Sequence, residues 1–342
     1  MQFNALRSAQ NNFNLIRLLL ASLVVLSHSY EIKVGSRLTE PLTRWFGTLS
    51  FGDVAVECFF LLSGYLILKS WQSRPEALPY LWRRLLRIWP AYLVCYGLCG
   101  MVLAPNGALR DGADFAWAPF VAGALTFGQP VMPPAFAGTF FPGINVPMWS
   151  IQYEFACYLL VAALGMLGVR GSKVAWLGAV LLWGGLFAVG QSGVLQPDGL
   201  AAHWLGKSFI RMPLFFLVGG LYAIYAARFQ PTFLKVCGAA LMLLASLQHA
   251  STAHLGLAIF GSYVLFSMAT LKSPFLSRAS RLPDVSYGLY LYAWPFSKLA
   301  YHWWPDQSPL VNFFSALGAA CAAGWLSWTF IEKPALRLKN LY

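Results

Sequence analysis

Residues 15–30 read LIRLLLASLVVLSHSY, an apolar run that Arg17 and His28 interrupt near its two ends. A helix needs about 20 mostly apolar residues to cross the roughly 30 Å hydrocarbon core of a bilayer. This run, with its flanking residues, is long enough to do so. Ionisable groups at membrane depth are costly and usually line a cavity or a pathway. The stretch therefore predicts a membrane helix that carries functional side chains.

The rest of the chain has the same apolar character. Of its 342 residues, 58% are hydrophobic and only 11% are Asp, Glu, Lys or Arg, whereas a soluble domain carries about 25% charged residues. A water-soluble globule of this length could not cover so much apolar surface with so few charges. The composition excludes a soluble globule, a disordered chain, a coiled coil and collagen, and it predicts an integral membrane protein.

Ten runs along the chain are long and apolar enough to cross a membrane. They lie near residues 15–30, 54–70, 88–104, 147–169, 173–190, 209–227, 233–249, 254–271, 286–303 and 309–330. A further stretch, 115–128, is short and bracketed by Pro and Gly, which predicts a re-entrant or interfacial segment. We therefore expect an all-α polytopic protein with a single membrane domain over 1–342, built from about ten transmembrane helices around a polar central cavity.

The distribution of Lys and Arg predicts the orientation, because cytoplasmic loops carry an excess of both. With the N-terminus inside, 16 of the 24 Lys and Arg fall in inside segments and seven outside, with Arg17 in the first span. Both termini are then cytoplasmic. The net charge of +12 follows from this pattern, so nucleic-acid binding is not expected. The longest outside segment, about 105–146, is rich in Gly, Pro and Phe, and we expect it to form a lid or acceptor platform.

Arg17 and His28 lie eleven residues apart, roughly 16 Å along a helix axis and nearly on one face. One interpretation is a snorkelling arginine and an interfacial histidine. The other is an anion-binding group near the cytoplasm and a general base near the outer surface, within one cavity, since histidine is the natural base near neutral pH. The residues alone leave both interpretations open.

Two carboxylates are also predicted inside spans. Glu57 enters the second span from outside, at about the depth of His28, where it could orient the imidazole and stabilise its protonated form. Glu154 lies about two turns into the fourth span, where a lone carboxylate must be paired, and an arginine of the cytoplasmic half is a candidate partner. For each of them a purely structural pairing is the alternative to a catalytic role.

Arg83, Arg84 and Arg87 stand at the inner end of the third span, with Arg84 and Arg87 sharing a helix face. They fit either the excess of positive charge expected inside or a clamp on phosphate oxygens, which guanidinium groups bind bidentately. No His, Asp or Glu cluster has the spacing of metal ligands, so no metal is expected. Cations inside and a histidine with a carboxylate outside suit a reaction between an anionic donor inside and an acceptor outside.

Five sequence islands occur in order along the chain. They are NFNLIR at 12–17 with His28-Ser29 ten residues later, FFLLSGYL at 59–66, RLLRIWP at 84–90, WSIQYE at 149–154, and SYGLYL at 286–291 with IEKP at 331–334. In this order they resemble the acyltransferase-3 family of bacterial ten-span membrane acyltransferases. The resemblance covers most of the chain.

The resemblance implies transfer of an acyl group, most often acetyl, from cytoplasmic acyl-CoA to a carbohydrate hydroxyl. It implies catalytic roles for Arg17 and His28 and donor binding by Arg84 and Arg87, with Arg83 beside them. At Asn14 relatives often carry an acidic residue, which puts a role for that charge in doubt. At Ala293 many relatives carry a second histidine, which this chain lacks.

The expected acceptor is a surface polysaccharide, a lipopolysaccharide or an exopolysaccharide precursor, and the expected location is the bacterial cytoplasmic (inner) membrane. Acyl-CoA, in the acetyl form by default, is expected as a donor substrate, with no permanently bound cofactor. One alternative is a proton-coupled transporter, since intramembrane Arg, His and Glu also form solute paths. Another is the same chemistry on a small glycosylated metabolite.

Overall fold

The computed structural model describes residues 12–103, 116–130, 136, 138–168, 172–191, 207–271, 273, 276 and 283–340. Within these ranges the chain forms helices and connecting segments and no β-strand, so it is all-α as predicted. The helices are α1 Phe13–Val34, α2 Pro41–Phe46, α3 Phe51–Ser73, α4 Ala77–Leu98, α5 Trp117–Leu125, α6 Trp149–Met166, α7 Lys173–Gln191, α8 Lys207–Ile224, α9 Phe233–Ser246, α10 Ala250–Gly256, α11 Ser262–Ala269, α12 Ser286–Trp303, α13 Pro309–Ser327 and α14 Lys333–Arg337. A π-helical turn follows α4 (Cys99–Leu103), joins α10 to α11 (Leu257–Gly261), and joins α13 to α14 (Trp328–Glu332).

Each of the ten predicted apolar runs falls on one of these helices or on a helix pair. Among the described residues, five helical stretches are long and apolar enough to cross a membrane. They are Phe13–Val34, Phe51–Ser73, Lys173–Gln191, Ala250–Ala269 and Pro309–Arg337. The chain is therefore a helical membrane protein, and the count of ten spans stays a prediction. Helix α5, in the stretch predicted as re-entrant or interfacial, is about 13 Å long and too short to span.

Helices α1 and α3 run in opposite directions. The Phe13 ring lies 5.3 Å from the Tyr65 ring near the start of α1 and the end of α3, whereas Ser27 packs against Gly52 at the opposite ends. We call the end where α1 begins the inner end and the opposite end the outer end. The predicted orientation assigns the inner end to the cytoplasm.

Helix α12 runs parallel to α1. Asp284, just before α12, pairs with Arg17 at the inner end, and the Tyr301 hydroxyl donates to the Ser29 carbonyl oxygen at the outer end, over 2.8 Å. These contacts fix α1 against α12 along most of its length.

A proline in α12 anchors the segment that precedes α6. Pro295 removes the helical donor that would otherwise reach the Leu291 carbonyl. The Asn145 amide takes that place and donates to the Leu291 oxygen over 2.9 Å. A carbonyl group freed inside a membrane helix must find such a partner, so this hydrogen bond holds the outer segment to α12.

Two further side chains of α12 bind the outer segment. Trp294 Nε1 donates to the Gly143 carbonyl over 3.2 Å. Lys298 Nζ donates to Thr139 Oγ1 and to the Phe141 carbonyl, each over 2.7 Å. The last part of the predicted lid, residues 138–146, is thus held against the outer half of α12. The stretches 104–115 and 131–135 and residue 137 lie outside the described residues.

Candidate active site

A cavity of about 490 Å³ opens between α1, α3, α4, α6, α12 and the end of the chain. Its inner part is cationic. The basic residues that line it are Arg17, Arg83, Arg84, Arg87 and Lys339, with Glu154 as the acidic lining residue. This volume lies within the range of ordinary ligand-binding pockets, about 300–1,000 Å³. The inner end of the cavity therefore has the charge of an anion-binding site.

The cavity is long as well as charged. Along α3 its lining runs from Ser70 to Val56, which corresponds to roughly 21 Å of helix. Phe59 and Ile67 supply apolar wall between these ends, and Ser150 of α6 lines the outer part. The cavity thus crosses a large share of the bilayer thickness, with charge at the inner end and a largely uncharged outer part.

Glu154 lies in the middle of this cavity and is held by two hydroxyl groups. Tyr158, one turn along α6, donates to Glu154 Oε1 over 2.6 Å, and Ser63 of α3 donates to the same oxygen over 3.1 Å. The arginine partner considered for Glu154 is not observed among the described residues, because these hydroxyl groups from its own helix and from α3 satisfy it. Its catalytic role stays a prediction.

Two of the cavity arginines are already paired with carboxylates. Arg17 Nη1 lies 2.9 Å from Asp284 Oδ2, and Arg87 Nη2 lies 2.5 Å from the same oxygen. Arg87 Nη1 also lies 3.3 Å from Glu332 Oε2. Burial alone would raise the pKa of the Asp284 carboxyl, but Arg87 and Arg17 outweigh it and lower this pKa to about 2. Asp284 is therefore ionised near neutral pH.

The other two arginines have no such partner. Arg83 and Arg84 have neither an ion pair nor a hydrogen bond with any described residue, and buried guanidinium nitrogens of both are unsatisfied: Nε and Nη2 of Arg83 and Nε of Arg84. Buried charges and donors normally find partners, since leaving them unpaired is costly. The structure thus separates Arg84 from Arg87, which the sequence had grouped as one clamp.

His28 has a carboxylate partner on its own helix. Its Nδ1 lies 2.9 Å from Glu31 Oε2, and Glu31 Oε1 lies 3.1 Å from Arg37 Nε. The His28 ring stands edge-on to Trp294 at 4.9 Å. Glu31 escaped the sequence analysis, although its spacing of three residues from His28 was the available signal.

The prediction that Glu57 orients His28 is wrong. Glu57 Oε1 lies 2.7 Å from His254 Nδ1 and 3.5 Å from Arg211 Nε. Glu57 and His28 point to different sides of the helix bundle: Glu57 projects from α3 toward α8 and α10, whereas His28 lies where α1 meets α12. Glu57 is completely buried, and this geometry gives it a structural pairing.

His28 and Arg17 do not line one cavity, contrary to the second interpretation of this pair. Arg17 is in the cavity wall and His28 is not. Ser27 packs against Gly52, four residues from Val56 at the outer limit of the cavity along α3, so His28 lies roughly 6 Å, about one helical turn, beyond that limit.

We expect Glu57→Gln to lower thermal stability and to leave the rate of acyl transfer within about threefold of wild type. Removing the charge of buried Glu57 leaves the partly buried Arg211 without its counter-charge, which is strongly destabilising. The measurements are the unfolding midpoint in detergent and the initial transfer rate. A transfer rate lowered by orders of magnitude at an unchanged unfolding midpoint would mean that Glu57 takes part in catalysis.

A buried cationic cavity below a histidine–carboxylate pair, in a helical membrane protein, is an arrangement for group transfer. The chain belongs to the acyltransferase-3 family: the family model of the acyltransferase domain matches residues 10–329. This membership confirms the resemblance carried by the five islands, and it makes the chain an O-acyltransferase. The interpretation as a transporter finds no support here.

Relatives of known name agree with the family. The chain is 26% identical over 340 residues to the O-acetyl transferase of Shigella phage Sf6, covering 95% of this chain and 96% of that protein. It is 26% identical over 365 residues to Nodulation protein 10 of Rhizobium leguminosarum bv. viciae, covering 97% of this chain and 94% of the relative. The acyltransferase MdmB of Streptomyces mycarofaciens is 30% identical over 117 residues, which is 32% of this chain and 27% of that protein. No solved structure matches the chain significantly.

Proposed function

We propose that this protein is an O-acetyltransferase of the bacterial inner membrane that moves acetyl from cytoplasmic acetyl-CoA to a carbohydrate hydroxyl at the outer face. The observation that carries the proposal is the long cavity. It holds two unpaired arginines at its inner end, and its lining ends roughly one helical turn from His28.

The charge pattern of the cavity matches the two halves of the donor. The nucleotide of acetyl-CoA carries phosphates, which guanidinium groups bind bidentately. Arg83 and Arg84 have free donors for them, and Lys339 lies in the same wall. The pantetheine arm is uncharged and slender, so the apolar and hydroxyl-lined part of the cavity suits it. The thioester would then reach the outer part of the cavity.

His28 and Glu31 supply the base. When Nδ1–H donates a hydrogen bond to the Glu31 carboxylate, Nε2 is left unprotonated and can accept the proton of a hydroxyl group. The acceptor oxygen attacks the thioester carbonyl, the carbon–sulfur bond breaks, and the thiolate of coenzyme A leaves and takes up a proton. General-base assistance of this kind contributes roughly 10²–10⁴-fold to the rate.

A hydroxyl acceptor fits the name of the phage relative, an O-acetyl transferase, and a carbohydrate at the outer face fits the outer position of the base. The test compares the acetyl content of purified surface polysaccharide in a deletion strain with that in strains complemented by wild-type protein or by His28→Ala. We expect acetyl to be lost in the deletion strain and restored only by wild type. Identical acetyl content in all three strains would contradict a polysaccharide acceptor.

We expect Arg84→Ala to raise the KM for acetyl-CoA about tenfold with kcat within about twofold. Phosphate contacts far from the reacting carbon stabilise the ground state and the transition state alike, so their loss appears in KM. The measurement is initial-rate kinetics at varied acetyl-CoA.

The matched control is Arg74→Ala, which removes an arginine whose side chain is exposed and paired with Glu76 and which does not line the cavity. It should change neither constant. A lower kcat at unchanged KM for Arg84→Ala would place Arg84 in the chemistry and not in donor binding.

A further inference from the structure

We infer that Asp284 is a positioning residue for acyl transfer. Its one carboxylate locks Arg17 and Arg87 into the cavity wall, and this leaves Arg83 and Arg84 as the arginines that receive the donor phosphates. The inference rests on the proposed function, because it assigns separate tasks to residues of the same site.

Both oxygens of Asp284 are engaged. Oδ2 is shared by Arg17 Nη1 at 2.9 Å and Arg87 Nη2 at 2.5 Å, and Oδ1 accepts from Ser286 Oγ over 2.5 Å. The carboxylate is only 11% exposed and does not line the cavity. It therefore holds the two guanidinium groups from behind and has no surface for a ligand.

Arg87 is held by three contacts. Its two terminal nitrogens each face a carboxylate, Asp284 for Nη2 and Glu332 for Nη1, and its guanidinium lies 5.6 Å from the centre of the Trp328 ring. An incoming phosphate would have to displace a short, buried ion pair to bind Arg87. No such pair has to break at Arg83 or Arg84.

The charges of the cavity wall divide in the same way. Arg17 and Arg87 together with Asp284 and Glu332 form a set of two cations and two anions. Among the other charged lining residues, the cations Arg83, Arg84 and Lys339 outnumber the one carboxylate, Glu154, so the lining keeps an excess of positive charge. An anionic donor is therefore attracted to this second set.

The ion pairs of Asp284 with Arg17 and Arg87 also affect the position of His28, the proposed general base. The ion pairs of Asp284 join the inner end of α1 and the middle of α4 to the start of α12, and α1 carries His28 eleven residues after Arg17. Because α1 is a continuous helix over Phe13–Val34, fixing Arg17 fixes the depth and rotation of His28 relative to the donor cavity. A displacement of about 1 Å of a reacting group can cost roughly 10²-fold in rate.

The test uses the full-length purified protein and two readouts, kcat for transfer and the Kd for coenzyme A. We expect Asp284→Asn to lower kcat about 100-fold and to leave the Kd within about threefold. Asp284→Glu keeps the charge and should recover at least a tenth of the wild-type kcat. The matched control is Glu76→Gln, which breaks an exposed pair with Arg74 and should change neither readout.

Two outcomes would overturn the inference: a kcat for Asp284→Asn within threefold of wild type, or a Kd that rises in proportion to the loss of kcat/KM. If Asp284→Asn does not accumulate, Ser286→Ala is measured in its place. This variant removes the hydrogen bond to Asp284 Oδ1 and keeps the charge of the carboxylate. We expect Ser286→Ala to lower kcat severalfold, and an unchanged kcat would contradict the positioning role of Asp284. A wild-type protein that neither binds coenzyme A nor transfers acetyl would overturn the proposed function, and the inference with it.

Discussion

Replacing His28 by alanine is expected to lower acetyl transfer at least 100-fold, while the protein still accumulates in the membrane and its KM for acetyl-CoA stays within about twofold. The base is lost, and general-base assistance contributes roughly 10²–10⁴-fold. The donor cavity is untouched, because His28 does not line it. The measurement is the initial rate of transfer in membranes that contain matched amounts of wild-type and variant protein.

His28 also packs edge-on against Trp294, so a loss of activity must be separated from a loss of packing. His28→Gln preserves most of the side-chain volume and should be as inactive as His28→Ala. If either variant keeps more than about a tenth of the wild-type rate, His28 is not the general base.

Glu31→Gln is expected to lower kcat by one to two orders of magnitude without changing the KM for acetyl-CoA. Glu31 Oε2 lies 2.9 Å from Nδ1 of His28, where it holds the tautomer that leaves Nε2 free and stabilises the imidazolium formed in the reaction. An amide in that place loses the charge and can present its donor to Nδ1, which favours the wrong tautomer. The measurement is steady-state kinetics at saturating acceptor.

Glu57→Gln is a matched control for Glu31→Gln, since each glutamate has a histidine nitrogen within 3 Å, His28 for Glu31 and His254 for Glu57. For Glu31→Gln we expect a lower kcat and an unchanged unfolding midpoint. For Glu57→Gln we expect a lower unfolding midpoint and a kcat close to that of wild type. Equal kcat values for Glu31→Gln and wild type would mean that another group orients His28.

The helices could be predicted from the sequence because the length of an apolar run is a property of a local segment. The depth of side chains could be predicted too: Glu57 and His28 both lie in the outer half, as expected. Rotation about the helix axis could not, since it depends on how α3 packs against α1, α8 and α10. Because this rotation could not be predicted, Glu57 was expected to contact His28, whereas in the structure it contacts His254.

The pairing of the arginines also escaped prediction. Asp284 lies in a segment that reads as an ordinary inside loop, and Glu332 lies far away in sequence. Only the fold brings both acids to Arg87, and it thereby separates Arg87 from Arg83 and Arg84, although sequence spacing had treated these three arginines as one basic group. Glu31, in contrast, was within reach of sequence reasoning, because residues three apart on a helix are neighbours.

The central claim is that an acyl-CoA donor binds the cationic cavity while the base lies apart from it. Calorimetric titration of coenzyme A into the detergent-purified protein tests this most directly. The account predicts saturable binding to wild type, the same Kd within about twofold for His28→Ala, and binding about tenfold weaker for Arg84→Ala. No binding to wild type, or the same Kd for Arg84→Ala as for wild type, would contradict it.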